Sequence, residues 1–349
     1  MSKLLVSAFL ASTLLLTLVF FRKRGPPSGF CATSVYRDQA LKHIDESPFA
    51  GLFRDLRNQT KFEASGVAYD STTDSFLAVF DSSMSVARFD AGLRFRGDGN
   101  VLIGERVRES QFEGISPYSV EDNTWLLLAE AVPGSSNKQK NKGEEGVWYP
   151  EITLAQFHQG SNSYDVVERC RVDFELTHEN KGFESIIYLP EKELLLGLCE
   201  GNYCVGGKRG RDRGHGKIVV SELTRGAGGC QWTVVDTLDV PSVANFQDYS
   251  AMAIRDGKMA ILSQEDAALA LVDFDIDTVN FGNTTGVVMH LPRDVHCNIV
   301  FCNAEGIAFV DPYRFLIVSD KAKKAQPMAC QAHDQSVALF AVPSGFLQT

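Results

Sequence analysis

Glu63-Ala64-Ser65-Gly66-Val67-Ala68 places an acidic residue just ahead of a short apolar run, and Val79-Phe80-Asp81 ends a second run on another acid. The pairing recurs four more times. The later openings are Glu113-Gly114-Ile115-Ser116, Glu184-Ser185-Ile186-Ile187, Asp248-Tyr249-Ser250-Ala251-Met252-Ala253 and Glu305-Gly306-Ile307-Ala308. Their closures are Leu128-Ala129-Glu130, Leu198-Cys199-Glu200, Ser263-Gln264-Glu265 and Val318-Ser319-Asp320. Successive openings lie 50, 71, 64 and 57 residues apart, the mark of a recurring supersecondary unit.

Each unit is all-β. Runs of a few apolar residues, such as Ile186 to Leu189 and Leu194 to Leu198, are separated by turn formers such as Pro190 to Glu193. Further strand candidates fill the intervals: Ile218 to Ser221 with Trp232 to Val235, and Leu269 to Val272 with Gly286 to Met289. About four strands per repeat and five repeats predict a five-bladed β-propeller, with six blades as the alternative. Val337 to Ala341 supplies a third strand to the last repeat. A fourth is expected from the segment before Glu63, within Ser47 to Leu56, which would close the ring and cover the sheet edges. Tyr36 to Ile44 is expected as one short helix.

Residues 1–30 read as a signal anchor and linker, and residues 31–349 as the propeller domain. Leu4 to Phe21 carries no charge and is followed by Arg22-Lys23-Arg24-Gly25-Pro26-Pro27, which favours an uncleaved membrane helix over a cleaved signal. The flanking bases favour a cytosolic propeller on an organelle outer membrane. The even count of eight cysteines, with close pairs Cys199/Cys204 and Cys297/Cys302, favours the lumen or cell exterior. So do the glycosylation acceptors Asn58-Gln59-Thr60 and Asn283-Thr284-Thr285. We take the second side as the expectation. The cysteine spacing does not suit zinc.

The first residue of an inner strand and the last residue of its antiparallel neighbour lie at the same end of a blade. Glu63, Glu113, Glu184, Asp248 and Glu305 should therefore meet their closing acids at one mouth of the central tunnel. Crowded carboxylates need protons or a cation, and Ca²⁺ takes six to eight oxygen ligands. The five opening acids are the expected metal ligands, with Ser65, Ser116, Ser185 and Ser250 as further oxygens. The bland alternative is a set of structural blade-to-blade contacts.

The chain has a formal net charge of −10, yet its bases cluster in loops that follow closing acids. The clusters are Lys138, Lys140 and Lys142; Lys208, Arg209, Arg211, Arg213 and Lys217; and Lys321, Lys323 and Lys324. Rising from the same mouth, they suit a small anion such as a phosphate ester, with Lys208, Arg209, Arg211, Arg213 and Lys321 as its ligands. The overall acidity and the lack of an aromatic–basic stripe argue against nucleic acid. No Gly-x-Ser-x-Gly elbow, His-Glu-x-x-His or Walker sequence occurs. His178 and His296, on loops entering inner strands, are the candidate general bases.

The Glu-x-Ile/Val-Ala pattern at Glu63, Glu113, Glu184 and Glu305 resembles the SdiA-regulated and phytase-like (esterase-like) propellers, from about Phe62 to Asp320. That resemblance implies a propeller and a calcium site. Phe112-Glu113-Gly114-Ile115, Gly182-Phe183-Glu184-Ser185 and Ala304-Glu305-Gly306-Ile307 are also similar to the calcium-activated nucleotidases (apyrases). These are anchored five-bladed propellers with calcium held by Glu and Ser of the inner strands. The fourth repeat departs, with Asp248-Tyr249-Ser250. The resulting expectation is an anchored, Ca²⁺-binding propeller that binds or hydrolyses a small phosphorylated anion. The competing expectation is a non-catalytic scaffold for protein or glycan.

Overall fold

The computed structural model describes residues 31, 33–104, 110–121, 123–134, 147–158, 160–177 and 182–343. The expected anchor, Lys138, Lys140, Lys142 and His178 lie outside them. Among the described residues no helix is long and apolar enough to cross a membrane.

Among the described residues the strands form three four-stranded sheets and one of eight strands, and the eight divide at a parallel pair into two antiparallel runs of four, which gives five meanders. β1 (Lys42–Pro48) precedes the first meander, which runs β2 (Ala64–Asp70), β3 (Ser75–Phe80), β4 (Ser83–Phe89) and β5 (Val101–Ile103). The second runs β6 (Gly114–Val120), β7 (Asn123–Pro133), β8 (Trp148–His158) and β9 (Ser163–Val172). The third runs β10 (Phe183–Leu189), β11 (Leu194–Cys199), β12 (Lys217–Gly226) and β13 (Gly229–Asp239). The fourth runs β14 (Ala251–Arg255), β15 (Lys258–Ser263), β16 (Ala268–Asp275) and β17 (Asn280–His290). The fifth takes β18 (Ala304–Asp311), β19 (Arg314–Ser319) and β20 (Ser336–Ala341), then β1 as its outer strand.

Packing explains why the strands read as continuous apolar runs rather than alternating ones. In β3 all six residues are buried. Leu77 and Val79 pack toward the second meander, while Phe76, Ala78 and Phe80 pack toward the fifth. A strand covered on both faces needs apolar residues at both parities. The buried residues accordingly form five clusters, each shared by two neighbouring meanders and closing from the fifth back to the first. The first strands β2, β6, β10, β14 and β18 neighbour one another in the same closed order. This is a β-propeller.

The N-terminal closing strand lies earlier than expected: β1 covers Lys42 to Pro48, and Phe49–Leu52 is a helical turn. Tyr36 to Ile44 is not one helix either, since the helix covers Ser34–Asp38 and the chain is already extended at Lys42. The seam between β1 and β20 is held by Glu46, which accepts bonds from Ser336 Oγ (2.6 Å) and His333 Nδ1 (2.7 Å). All eight cysteines pair. Cys199–Cys204 forms as expected, but Cys297 joins Cys31 and Cys302 joins Cys330, so the Cys297/Cys302 pairing is wrong. The remaining bridge, Cys170–Cys230, lies where β9 and β13 pair in parallel and fuse two meanders at their outer edges.

Candidate metal centre at the tunnel mouth

Strand register decides which residues face the mouth together. Glu305 sits at a β-bulge between Ala304, opposite Ser319, and Gly306, opposite Val318. Glu184 occupies the same bulge in the third meander, between Phe183 and Ser185. In the first meander that bulge falls on Ser65, between Ala64 and Gly66. Glu113 and Ser250 lead unbulged strands, and each donates its backbone N–H to the residue opposite its successor, Ala129 and Leu262 (both 2.9 Å). The equivalent residues of the ring are therefore Ser65, Glu113, Glu184, Ser250 and Glu305.

The expectation that five acids share one position is corrected accordingly. Glu63 and Asp248 each stand two residues upstream of the ring position. Glu63 is equivalent to Asn303, because each gives its carbonyl to the closing aspartate, Asp81 N to Glu63 O at 3.0 Å and Asp320 N to Asn303 O at 2.9 Å. The closing acids also sort by register. Asp81, Glu200 and Asp320 are equivalent, and Gln264 takes that place in the fourth meander, with Glu265 one further on. In the second meander Glu130 lies one residue short of it.

Several of these acids form one electrostatic group. Burial, followed by Asp320, Glu113 and Glu200, pushes the Glu305 carboxyl well above its ordinary value. Its side-chain hydrogen-bond donor is a neutral amide, Gln264 Nε2. Burial, then Asp320 and Glu63, raises Asp81 to about 7, and Asp81 Oδ1 is buried without a hydrogen-bond partner. Asp320 is raised to about 6 by burial and Glu63, against the amide of Lys321. Asp248 is raised to about 6 by burial, opposed by the Ser263 hydroxyl and the Glu265 amide. Low-dielectric surroundings and like charges penalise the ionised forms, so protons or a cation must compensate.

The donor set fits a hard cation: three carboxylates and two hydroxyls, all oxygen. The two serines donate to the backbone leading into the next inner strand rather than across the ring. Ser65 Oγ bonds the carbonyl of Phe112, and Ser250 Oγ bonds that of Ala304 at 2.8 Å. A hydroxyl that donates there keeps its lone pairs for an ion. Among the described residues, the only three His, Cys, Asp or Glu ligand atoms within 4.8 Å of one another belong to Glu168, Cys170 and Cys230. Those two cysteines form a disulfide, so that trio is no metal site. The ring carboxylates stand more widely apart.

Other acids are neutralised by bases. Arg169 Nη1 donates to Glu130 (3.1 Å), Arg211 Nη2 to Glu265 (3.3 Å), and Lys321 Nζ lies 3.8 Å from Glu63. Three of the expected anion ligands are thus engaged with acids, for Arg213 pairs with Asp266 at 2.7 Å. Arg209 lies over the Tyr203 ring (4.6 Å), and Lys208 is exposed. The Gly-rich basic loop is compact. Cys199–Cys204 ties its base, and buried Asn202, which composition did not single out, donates to Gly210 O (3.2 Å) and Gln247 O (2.9 Å). Gly201 and Gly210 are needed there, because a Cβ on either would meet Val205 O at 2.3 or 2.1 Å. The loop borders a cleft of about 570 Å³ in which Lys208, Arg211 and Lys323 face Glu200, Asp248 and Glu265. His296 lies in an exposed turn, its N–H on Asp294 Oδ1 (2.8 Å), and makes no hydrogen bond to the ring acids.

No protein-family model matches the chain, and no curated protein matches its sequence. Among solved structures it is similar to a glutaminyl cyclase of Myxococcus xanthus, at 11% identity over 87% of this chain and 97% of that one, with a TM-score of 0.44. It is similar to a luciferin-regenerating enzyme at 9% identity, covering 86% and 96%, with a TM-score of 0.43. A calcium-binding regucalcin of Agrobacterium tumefaciens matches at 11% identity, covering 87% and 94%, with a TM-score of 0.41.

Proposed function

We propose that this chain is a five-bladed propeller that holds Ca²⁺ at one tunnel mouth through Ser65, Glu113, Glu184, Ser250 and Glu305. The observation that carries this is Glu305, a half-buried carboxylate facing Asp320, Glu113 and Glu200 with an uncharged amide as its hydrogen-bond donor. Asp81, with Oδ1 buried and without a hydrogen-bond donor, adds a second raised carboxyl nearby. Glu63 and Asp248 stand outside this ligand set and shape its field.

The adjoining cleft, with Lys208, Arg211 and Lys323, suits a small phosphorylated anion. A bound Ca²⁺ supplies charge that polarises a phosphoryl oxygen. Lys208 and Lys323 steer the anion, and Arg211 holds Glu265 aside. His296 is not among the residues lining this cleft, so no base for hydrolysis is assigned to it. The four disulfides and the exposed Asn58 sequon support a lumenal or extracellular propeller behind an N-terminal anchor. The scaffold reading draws support from the Arg169–Glu130, Arg211–Glu265 and Lys321–Glu63 pairs.

Calorimetric titration with CaCl₂, alongside turnover of a panel of nucleotides and phosphate esters with Ca²⁺ or chelator, separates these readings. Saturable Ca²⁺ binding that Glu305→Gln removes supports the centre. No binding by the wild type leaves the scaffold. Binding without turnover of any ester keeps the cation and rejects the hydrolase.

A further inference from the structure

Inward from the ring, Val67, Ile115, Ile186, Met252 and Ile307, one from each inner strand, are all buried and form an apolar collar. These side chains also line a cavity of about 340 Å³ toward the finishing ends of the inner strands, walled further on by Tyr69, Pro117, Tyr188, Ile254 and Phe309. One charged residue lines it, Arg255, the last residue of β14. Its Nη1 donates to Val310 O at 2.9 Å, and its Nε lies 3.5 Å from the exposed Asp256 carboxylate. Its guanidinium carbon is 5.9 Å from the Tyr69 ring centroid. Nη2 has no hydrogen-bond partner among the described residues. A groove of about 490 Å³ between the fourth and fifth meanders shares Arg255 and Phe309 with the cavity.

We propose that this end of the tunnel is a second binding site, for a small monoanion with an apolar body, an aromatic or branched carboxylate. Small-molecule sites are concave, mostly apolar and fixed by few polar groups, and the cavity has that make-up. The body would lie against Ile254, Phe309 and the tyrosine rings. The carboxylate would take the free edge of the Arg255 guanidinium, whose fork matches two carboxylate oxygens. A phosphate ester is disfavoured, because one guanidinium cannot compensate a dianion amid apolar walls. The collar separates this site from the acid mouth, so the proposal stands apart from the calcium reading.

The test titrates the full chain with 1-naphthoate and with its neutral isostere 1-naphthamide, in chelator and again in CaCl₂. Saturable binding of naphthoate, at least tenfold tighter than naphthamide, is expected in both solutions. Arg255→Gln should erase that preference and leave naphthamide affinity unchanged. Ala253→Phe, which fills the cavity, should abolish binding of both probes. Ca²⁺ affinity should be the same in both variants as in the wild type, which also reports that they fold. Equal binding of the two probes by the wild type, no saturable binding of either, or an unchanged preference in Arg255→Gln overturns the proposal. Loss of Ca²⁺ binding in the wild type would strike the first site alone.

Discussion

Ser250 Oγ donates to the carbonyl of Ala304, 2.8 Å away and one residue before Glu305. Ser65 does the same for Phe112, one residue before Glu113. Each serine of the ring thus fixes the backbone that delivers the next blade's glutamate. Ser250→Ala leaves a buried carbonyl without this donor, at a cost of about 1 kcal/mol. Chemical denaturation should show that loss, and calorimetry should show Ca²⁺ affinity lowered severalfold. A variant with the stability loss and wild-type Ca²⁺ affinity would make the serine structural only.

Glu305→Gln should move stability and binding in opposite directions. It removes a carboxylate whose ionised form burial and three acids disfavour, and keeps the size and polarity of the side chain. The melting temperature in chelator should rise by a few degrees. Ca²⁺ affinity should fall by a factor of ten or more, and the Ca²⁺-induced rise in melting temperature should vanish with it.

The mouth acids also set a pH dependence. Asp81, raised to about 7, and Asp248 and Asp320, each raised to about 6, bind protons more tightly folded than unfolded. A raised carboxyl contributes stability that is fully present below its unfolded value near 4 and is lost as pH rises through its folded value. In chelator, the protein should therefore lose stability between about pH 4 and pH 7 at this site. Ca²⁺ displaces those protons, so its stabilisation should grow over the same interval. Melting curves at fixed ionic strength with Ca²⁺ and with chelator check both signs.

Much of this was legible in the chain. Acids flanking paired apolar runs marked the repeats, and Glu113, Glu184 and Glu305 occupy equivalent register positions on their inner strands. Ser65 and Ser250 were hidden by register. An extra residue at a bulge shifts which side chain faces the axis, and alternation in a fully buried strand carries no mark of it. Glu63 and Asp248 therefore looked equivalent to the glutamates while lying two residues early. The closing strand Lys42–Pro48 was missed because it is polar and mostly exposed along one edge, with no apolar run to betray it. The Arg211–Glu265 and Arg213–Asp266 pairs join residues 54 and 53 positions apart, and only the folded loop brings them together.

That polar strand makes the seam testable. Burial opposes a charge on Glu46, but the bonds from His333 and Ser336 prevail and hold its carboxyl below its ordinary value. Such a group contributes stability above its unfolded value, lost as pH falls through the folded one. Glu46→Ala should cost about 2 kcal/mol, since it orphans two partly buried donors at once. Hydrogen exchange should show the loss first in β1 and β20. Faster exchange spread evenly over all five meanders would mean the seam opens only with the whole ring.

The glycine after Glu305 sets how closely the ring can draw together. A Cβ on Gly306 would stand 2.8 Å from Val67 N and 3.0 Å from Gly66 C, backbone atoms of the adjacent inner strand, and 2.6 Å from Val318 Cγ2. A side chain can rotate away, but a strand backbone held in its own ladder cannot. Gly306→Ala should therefore push β18 from β2, destabilising the fold by about 2 kcal/mol or more through overpacking. Glu305 would move with its strand, so Ca²⁺ affinity should drop at least tenfold. Gly282→Ala is the control, because its Cβ would meet nothing closer than Asp273 Cβ at 3.9 Å. If Gly306→Ala loses stability while its Ca²⁺ affinity matches the control, the ion does not depend on the spacing of the inner strands. The ring of Ser65, Glu113, Glu184, Ser250 and Glu305 would then not be its site.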